Sequence, residues 1–125
     1  MSNVARLGLL VIRSRNMHRL AEFYTAIGMQ LEKHSHPPCG EHYSSVDGRC
    51  VFEICQLKQG ESPTTDVFFG LNVTELDDAL VAVKSENGQV IREPQVSDWG
   101  TSAMVRDPEG HRVLLVQQSN APFES

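Results

Sequence analysis

The sequence predicts an α+β protein made of two βαβββ modules in tandem, and three observations carry that prediction. A strand-like run followed by a helical run occurs twice, at "LGLLVIRS" with "NMHRLAEFYTAIG" and at "TDVFFGLNV" with "TELDDALVAVKSENG". Superposing the two copies at an offset of 59 residues, Asn16 on Glu75, pairs Met17 with Leu76, Leu20 with Ala79 and Tyr24 with Val83, so the apolar helix faces coincide. Each copy also ends in two strand-like runs around turn residues, Asp47-Gly48 in the first and Asp107-Pro108-Glu109-Gly110 in the second.

The elements follow in order. Residues 7 to 14 are Leu-rich and β-branched, as suits a strand buried on both faces. Asn16 is placed to cap the helix that follows, Met17, Leu20, Ala21, Tyr24 and Ile27 share one of its faces, and Gly28 stands where a left-handed C-terminal residue is expected. "MQLEKHSHPPCG" begins as a strand and gives way to a loop at Pro37 and Pro38, which have no N–H to donate. "EHYSSVDGRCVFEIC" reads as a hairpin about a two-residue Asp47-Gly48 turn. A polar link at 58 to 65 precedes the second copy, in which Thr74 and Asp77 occupy capping-box positions and "QVIRE" returns as a strand. The predicted organisation is one domain over residues 1 to 125, with modules at about 5 to 58 and 65 to 118 and a flexible tail "SNAPFES".

Composition narrows the function classes. A net charge of −5, from 11 Lys and Arg against 16 Asp and Glu, argues against a nucleic-acid partner, which requires a basic surface. No apolar run is long enough for a membrane span and no secretory leader pattern opens the chain, so a cytoplasmic protein is expected. The three cysteines, Cys39, Cys50 and Cys55, lack a repeated C-x-x-C spacing and are read as buried or free thiols.

The residue that demands an explanation is Glu53, a lone carboxylate within "CVFEICQL". About a two-residue turn it would pair directly with His42, at a β-carbon separation of roughly 4.5 to 5.5 Å. Alternation places Val51, Glu53 and Cys55 on one face with His42 and Ser44, and Tyr43, Phe52 and Ile54 on the other. The second set suits packing under a helix, and the first suits the wall of a pocket. As a cross-strand contact the pair is worth only about 0.2 to 1 kcal/mol; as a site, Glu53 is a ligand contact or base with His42 setting its protonation.

The motifs "LAEFYTAIGMQL", "VFEICQL" and "WGTSAMVRDPEGHRVLLVQ" resemble the vicinal oxygen chelate superfamily of glyoxalase I, extradiol dioxygenases and bleomycin-resistance proteins, over about residues 5 to 118. The resemblance implies a curved mixed sheet around a cavity, and a homodimer. In metal-using members two modules supply four inward-facing His and Glu ligands to a divalent ion; carried over, those positions are about Leu9, Glu53, Phe68 and Leu114. Three of these have no lone pair, so the usual metal site is expected to be absent and no cofactor is expected. A rebuilt site would start from Glu53 and His42 and draw a third ligand from His34, His36, Cys39 or His111. Arg13 shares a face with Leu9 and would reach an anionic ligand, and Trp99 is placed to lid a flat one.

The sequence therefore predicts a protein that binds a small, partly apolar organic molecule against Leu9, Arg13, His42, Glu53, Phe68, Trp99 and Leu114. The alternative is a lyase, isomerase or dioxygenase in which Glu53 and His42 are catalytic, either through a divalent metal or with Glu53 as the base. A structural or regulatory domain with a filled pocket is the third reading.

Overall fold

The computed structural model describes residues 2–37, 39–46, 49–98 and 100–117. The first module consists of β1 (Leu9–Ser14), α1 (Met17–Ala26), β2 (Leu31–His36), β3 (Gly40–Ser45) and β4 (Val51–Gln56). The second repeats the order with β5 (Phe68–Val73), α2 (Leu76–Ser85), β6 (Gln89–Ser97), β7 (Gly100–Arg106) and β8 (Arg112–Gln117). Each forms a four-stranded mixed sheet, β1-β4-β3-β2 and β5-β8-β7-β6, in which the first strand runs parallel to the last. That parallel pairing is possible because the helix returns the chain across the sheet before the hairpins begin.

Helix α1 starts as its sequence requires: the Asn16 side chain accepts from the Arg19 N–H, and Gly28 beyond the C-terminus has φ +120°. Helix α2 departs from expectation. Its N-cap is Glu75, without a side-chain capping bond, so the Thr74/Asp77 box does not form. The Leu76 N–H donates instead to Gln117 Oε1 at 2.7 Å, just as the Met17 N–H donates to Gln56 Oε1 at 3.0 Å. Each module thus caps its helix with a glutamine from the end of its last strand, a long-range device that local spacing cannot reveal.

Alternation assigns one face of each sheet to the core. Ile12, Phe52 and Ile54 pack beneath α1, while Val113, Leu115, Ala103 and Val105 pack beneath α2, all within one apolar cluster. Phe69 joins the halves, with its ring 5.5 Å from Phe52 and 6.0 Å from Tyr24. The turn between β7 and β8 also crosses the boundary. Asp107 Oδ1 accepts from the N–H groups of Glu109 and His111, and Oδ2 accepts from the Tyr24 hydroxyl at 2.7 Å. Ser14 Oγ bonds Glu109 Oε2 alongside.

Candidate functional site

The faces turned away from the helices carry the chemistry. On the first sheet these positions are Leu9, Val11 and Arg13 of β1, Val51, Glu53 and Cys55 of β4, and His42 and Ser44 of β3. The expected sorting of the hairpin faces therefore holds, but the expected register does not. His42 lies opposite Cys55, and Ser44 lies opposite Glu53. A slip of two residues preserves the side-chain faces, so Glu53 and His42 remain diagonal neighbours rather than a direct pair. The Asp47-Gly48 turn lies outside the described residues, and so do Trp99 and the tail.

His42 is almost wholly buried at 1 % exposure, whereas Glu53 is 21 % exposed. His42 Nε2 stands 3.8 Å from Glu53 Oε2, beyond hydrogen-bonding distance, and has no hydrogen-bond partner among the described residues. The other ring nitrogen, Nδ1, lies 2.9 Å from the Gly40 carbonyl. His36 approaches the His42 ring edge-on at 4.6 Å, and His34 lies 5.9 Å from it. The free-thiol expectation is corrected for two of the three cysteines: Cys39 and Cys55 form a disulfide, with Cα atoms 5.9 Å apart, while Cys50 is free. The β2–β3 turn makes this possible by bringing Cys39 back over the end of β4.

The remaining candidates are more dispersed. Arg13 is engaged by Glu61 at 3.6 Å. Leu9 is 53 % exposed and Phe68, on the second sheet, 54 %. Phe68 lies under the Arg112 guanidinium at 5.0 Å, and Leu114 lies opposite Gly70 and Met104. His111 is buried in the β7–β8 turn, where its Nδ1 accepts from the Val67 N–H, on an element apart from Glu53. The two sheets do not close into one cavity within the chain. A cleft of about 1060 Å³ lies instead against core-side residues including Leu10, Ile27, Met29, Phe52, Phe69 and Leu71, and its lining includes neither Glu53 nor His42. The physical reason is alternation: Glu53 faces away from the helices, and among the described residues no second layer of helix or sheet lies over it.

The sequence matches the Glyoxalase/Bleomycin resistance protein/Dioxygenase superfamily over residues 6–115. The chain belongs to this superfamily. Among solved structures, the superfamily fold is shared with TnmS3, an antibiotic-binding protein from Streptomyces sp. CB03234, at TM-score 0.70 and 18 % identity, covering 95 % of this chain and 100 % of that one. A glyoxalase/bleomycin resistance protein from Albidiferax ferrireducens T118 superposes at TM-score 0.71 and 16 % identity, covering 90 % and 98 %. The hypothetical protein SA1046 from S. aureus superposes at TM-score 0.68 and 20 % identity, covering 92 % and 97 %. No curated protein gives a significant sequence match. No described helix is long and apolar enough to cross a membrane.

At the four positions where metal-using superfamily members are expected to place ligands, this chain has Leu9, Glu53, Phe68 and Leu114. Leucine and phenylalanine carry no donor atoms, so the residues present do not fit that ion.

Proposed function

We propose that this superfamily member binds a small, partly apolar organic molecule, and that it recognises or sequesters the molecule rather than converting it. The observation that carries the reading is Glu53: a single, partly exposed carboxylate at the centre of an otherwise apolar strand, flanked on its own face by Val11 of the neighbouring strand and Val51. A partly apolar wall with a few placed polar groups, here Glu53 with Ser44 opposite it and His42 diagonal to it, is the usual composition of a small-molecule site, with the carboxylate selecting a ligand that presents a cation or a hydrogen-bond donor. The antibiotic-binding activity of the similar TnmS3 supports the class of ligand.

The cavity of this proposal is completed by a second copy of the chain. The exposure of Leu9 and Phe68 supports a covering partner. So does charge: the first sheet's open face presents Glu32 and Glu53, with its Arg13 engaged by Glu61, and the second presents Arg92, Arg106 and Arg112, the last beside Asp66. The open face of one protomer would then meet the second-sheet face of its partner. Light scattering coupled to size exclusion is expected to return a dimer at micromolar concentration and a monomer for Phe68→Glu. A monomeric parent protein sinks this part of the proposal. A cytoplasmic location belongs to the same reading, and cell fractionation tests it.

Screening cationic and amine-bearing heterocycles by thermal shift should find ligands that stabilise the parent protein. Glu53→Gln should weaken their binding at least about tenfold, equivalent to about 1.4 kcal/mol, while leaving the unliganded melting temperature unchanged. Turnover of a bound compound that disappears in Glu53→Gln would instead establish Glu53 as a base. One observation favours that second, enzymatic reading: the unpartnered His42 Nε2 beside the carboxylate.

A further inference from the structure

The open end of the β3–β4 hairpin gathers three metal-binding groups and sets a fourth beside one of them. One donor atom from each of Cys39, Glu53 and Cys55 lies within 4.8 Å of the others. His42, directly across from Cys55, aims its unpartnered Nε2 at Glu53. The Gly40 carbonyl only accepts, so His42 Nδ1 is the donor there, and Nε2 is the ring nitrogen available to an ion. Nε2 is buried, makes no hydrogen bond among the described residues and stands 3.8 Å from a carboxylate oxygen, an arrangement that a bound cation would complete. Metal-bound histidines characteristically hold their second nitrogen on a backbone carbonyl in this way. A tetrahedral ion with bonds of about 2.0 to 2.3 Å holds its donors roughly 3.3 to 3.8 Å apart; His42 Nε2 and Glu53 Oε2 already stand at 3.8 Å, and the two sulfurs, bonded to each other here, are free to separate once reduced.

We propose that the first module contains a redox-gated site for a zinc-type divalent ion, ligated by the Cys39 and Cys55 thiolates, Glu53 and His42 Nε2 when the disulfide is reduced. Two thiolates and an imidazole select zinc, or cobalt as its probe, over magnesium and calcium. The ligands all come from one hairpin and its approach loop, unlike a site assembled from two modules. The partial exposure of Glu53 and Cys39 leaves an entry path.

The gate is a thiol–disulfide exchange. A low-molecular-weight disulfide accepts two electrons from the two thiolates; its S–S bond breaks, the Cys39–Cys55 bond forms, and two small thiolates leave and take protons from solvent. The ion, left with only Glu53 and His42, dissociates. A dithiol reductant reverses the exchange: it becomes the disulfide, and the two cysteine thiols give up their protons to solvent as the ion binds.

The test uses the untagged full chain and cobalt(II) alone, with a phosphine reductant that does not itself present thiols. The reduced protein is expected to bind one cobalt per chain with a thiolate-to-cobalt charge-transfer band. Adding a small-molecule disulfide should abolish the band and release the metal to a chromogenic chelator. Cys39→Ser, a half-buried loop position that leaves the core intact, should weaken binding at least about tenfold and diminish the band. His42→Ala should weaken it comparably, with metal-free circular dichroism confirming that the variant is folded, and Cys50→Ser should change nothing. Failure of the reduced chain to bind cobalt, binding without the sulfur band, or equal binding by the oxidised chain overturns the proposal. None of these outcomes depends on the organic ligand, so the two proposals fail separately.

Discussion

Asp107→Ala is expected to destabilise the fold by about 3 to 5 kcal/mol, whereas Asp107→Asn stays within about 1 kcal/mol of the parent. The alanine variant leaves three donors without their acceptor: the Tyr24 hydroxyl and the N–H groups of Glu109 and His111. Each buried donor so orphaned costs roughly 1 to 3 kcal/mol, and solvent recovers part of the total at the turn. Asparagine keeps the oxygen that receives both backbone donors and turns its amide toward the tyrosine oxygen. Urea denaturation followed by circular dichroism measures both variants, and equal losses would show that the network contributes through shape alone.

The same network has a pH signature. Burial, reinforced by the neighbouring Asp107 charge and hydrogen bond, holds the Tyr24 phenol well above its ordinary value. A folded-state pKa above the unfolded one contributes stability that is complete below the unfolded value, near 10 for tyrosine, and is lost as pH rises beyond it. Burial also raises Asp107, although its hydrogen bonds with Tyr24 and the turn N–H groups pull the other way. Its contribution likewise is complete in acid and is lost as pH rises from about 4 through the raised folded value. The melting temperature of the parent should therefore fall more steeply above about pH 10 than that of Tyr24→Phe. Parallel curves would exclude Tyr24 as the source of the slope.

The second large effect is expected at Phe23, a fully buried α1 side chain that ends against Gly88 beyond α2. Phe23→Ala should cost about 3 to 5 kcal/mol through lost burial and the cavity left behind. Gly88→Ala should cost about 1 to 3 kcal/mol for the opposite reason. Its new carbon would lie 2.5 Å from the Phe23 ring and 2.9 Å from both a Val83 methyl and the Arg106 carbonyl. The backbone carbonyl cannot rotate away. Because part of the Gly88→Ala clash is with the ring that Phe23→Ala removes, the double variant should be less destabilised than the sum of the singles. Additivity in a double-mutant cycle would mean that the Arg106 carbonyl and the Val83 methyl carry the whole clash.

Local sequence determined the element order, because periodicity, Asn16, Gly28 and the Asp107–Gly110 turn all act within a few residues of one another. It also determined which side chains share the Glu53 face, since a period of two survives any even slip in register. Three things were decided only by tertiary structure. The hairpin register places Cys55 opposite His42, two residues from the pairing that a two-residue Asp47-Gly48 turn implies, because register is set by how whole strands pair and not by a turn signal alone. The Cys39–Cys55 contact depends on where the β2–β3 turn returns the chain, which a spacing of 16 residues does not disclose. The cavity expected around Glu53 is not enclosed by the described residues of one chain, because the helix of each module takes the opposite face of its sheet. Sequence can assign a side chain to a face, but only the packing of whole elements decides what that face meets.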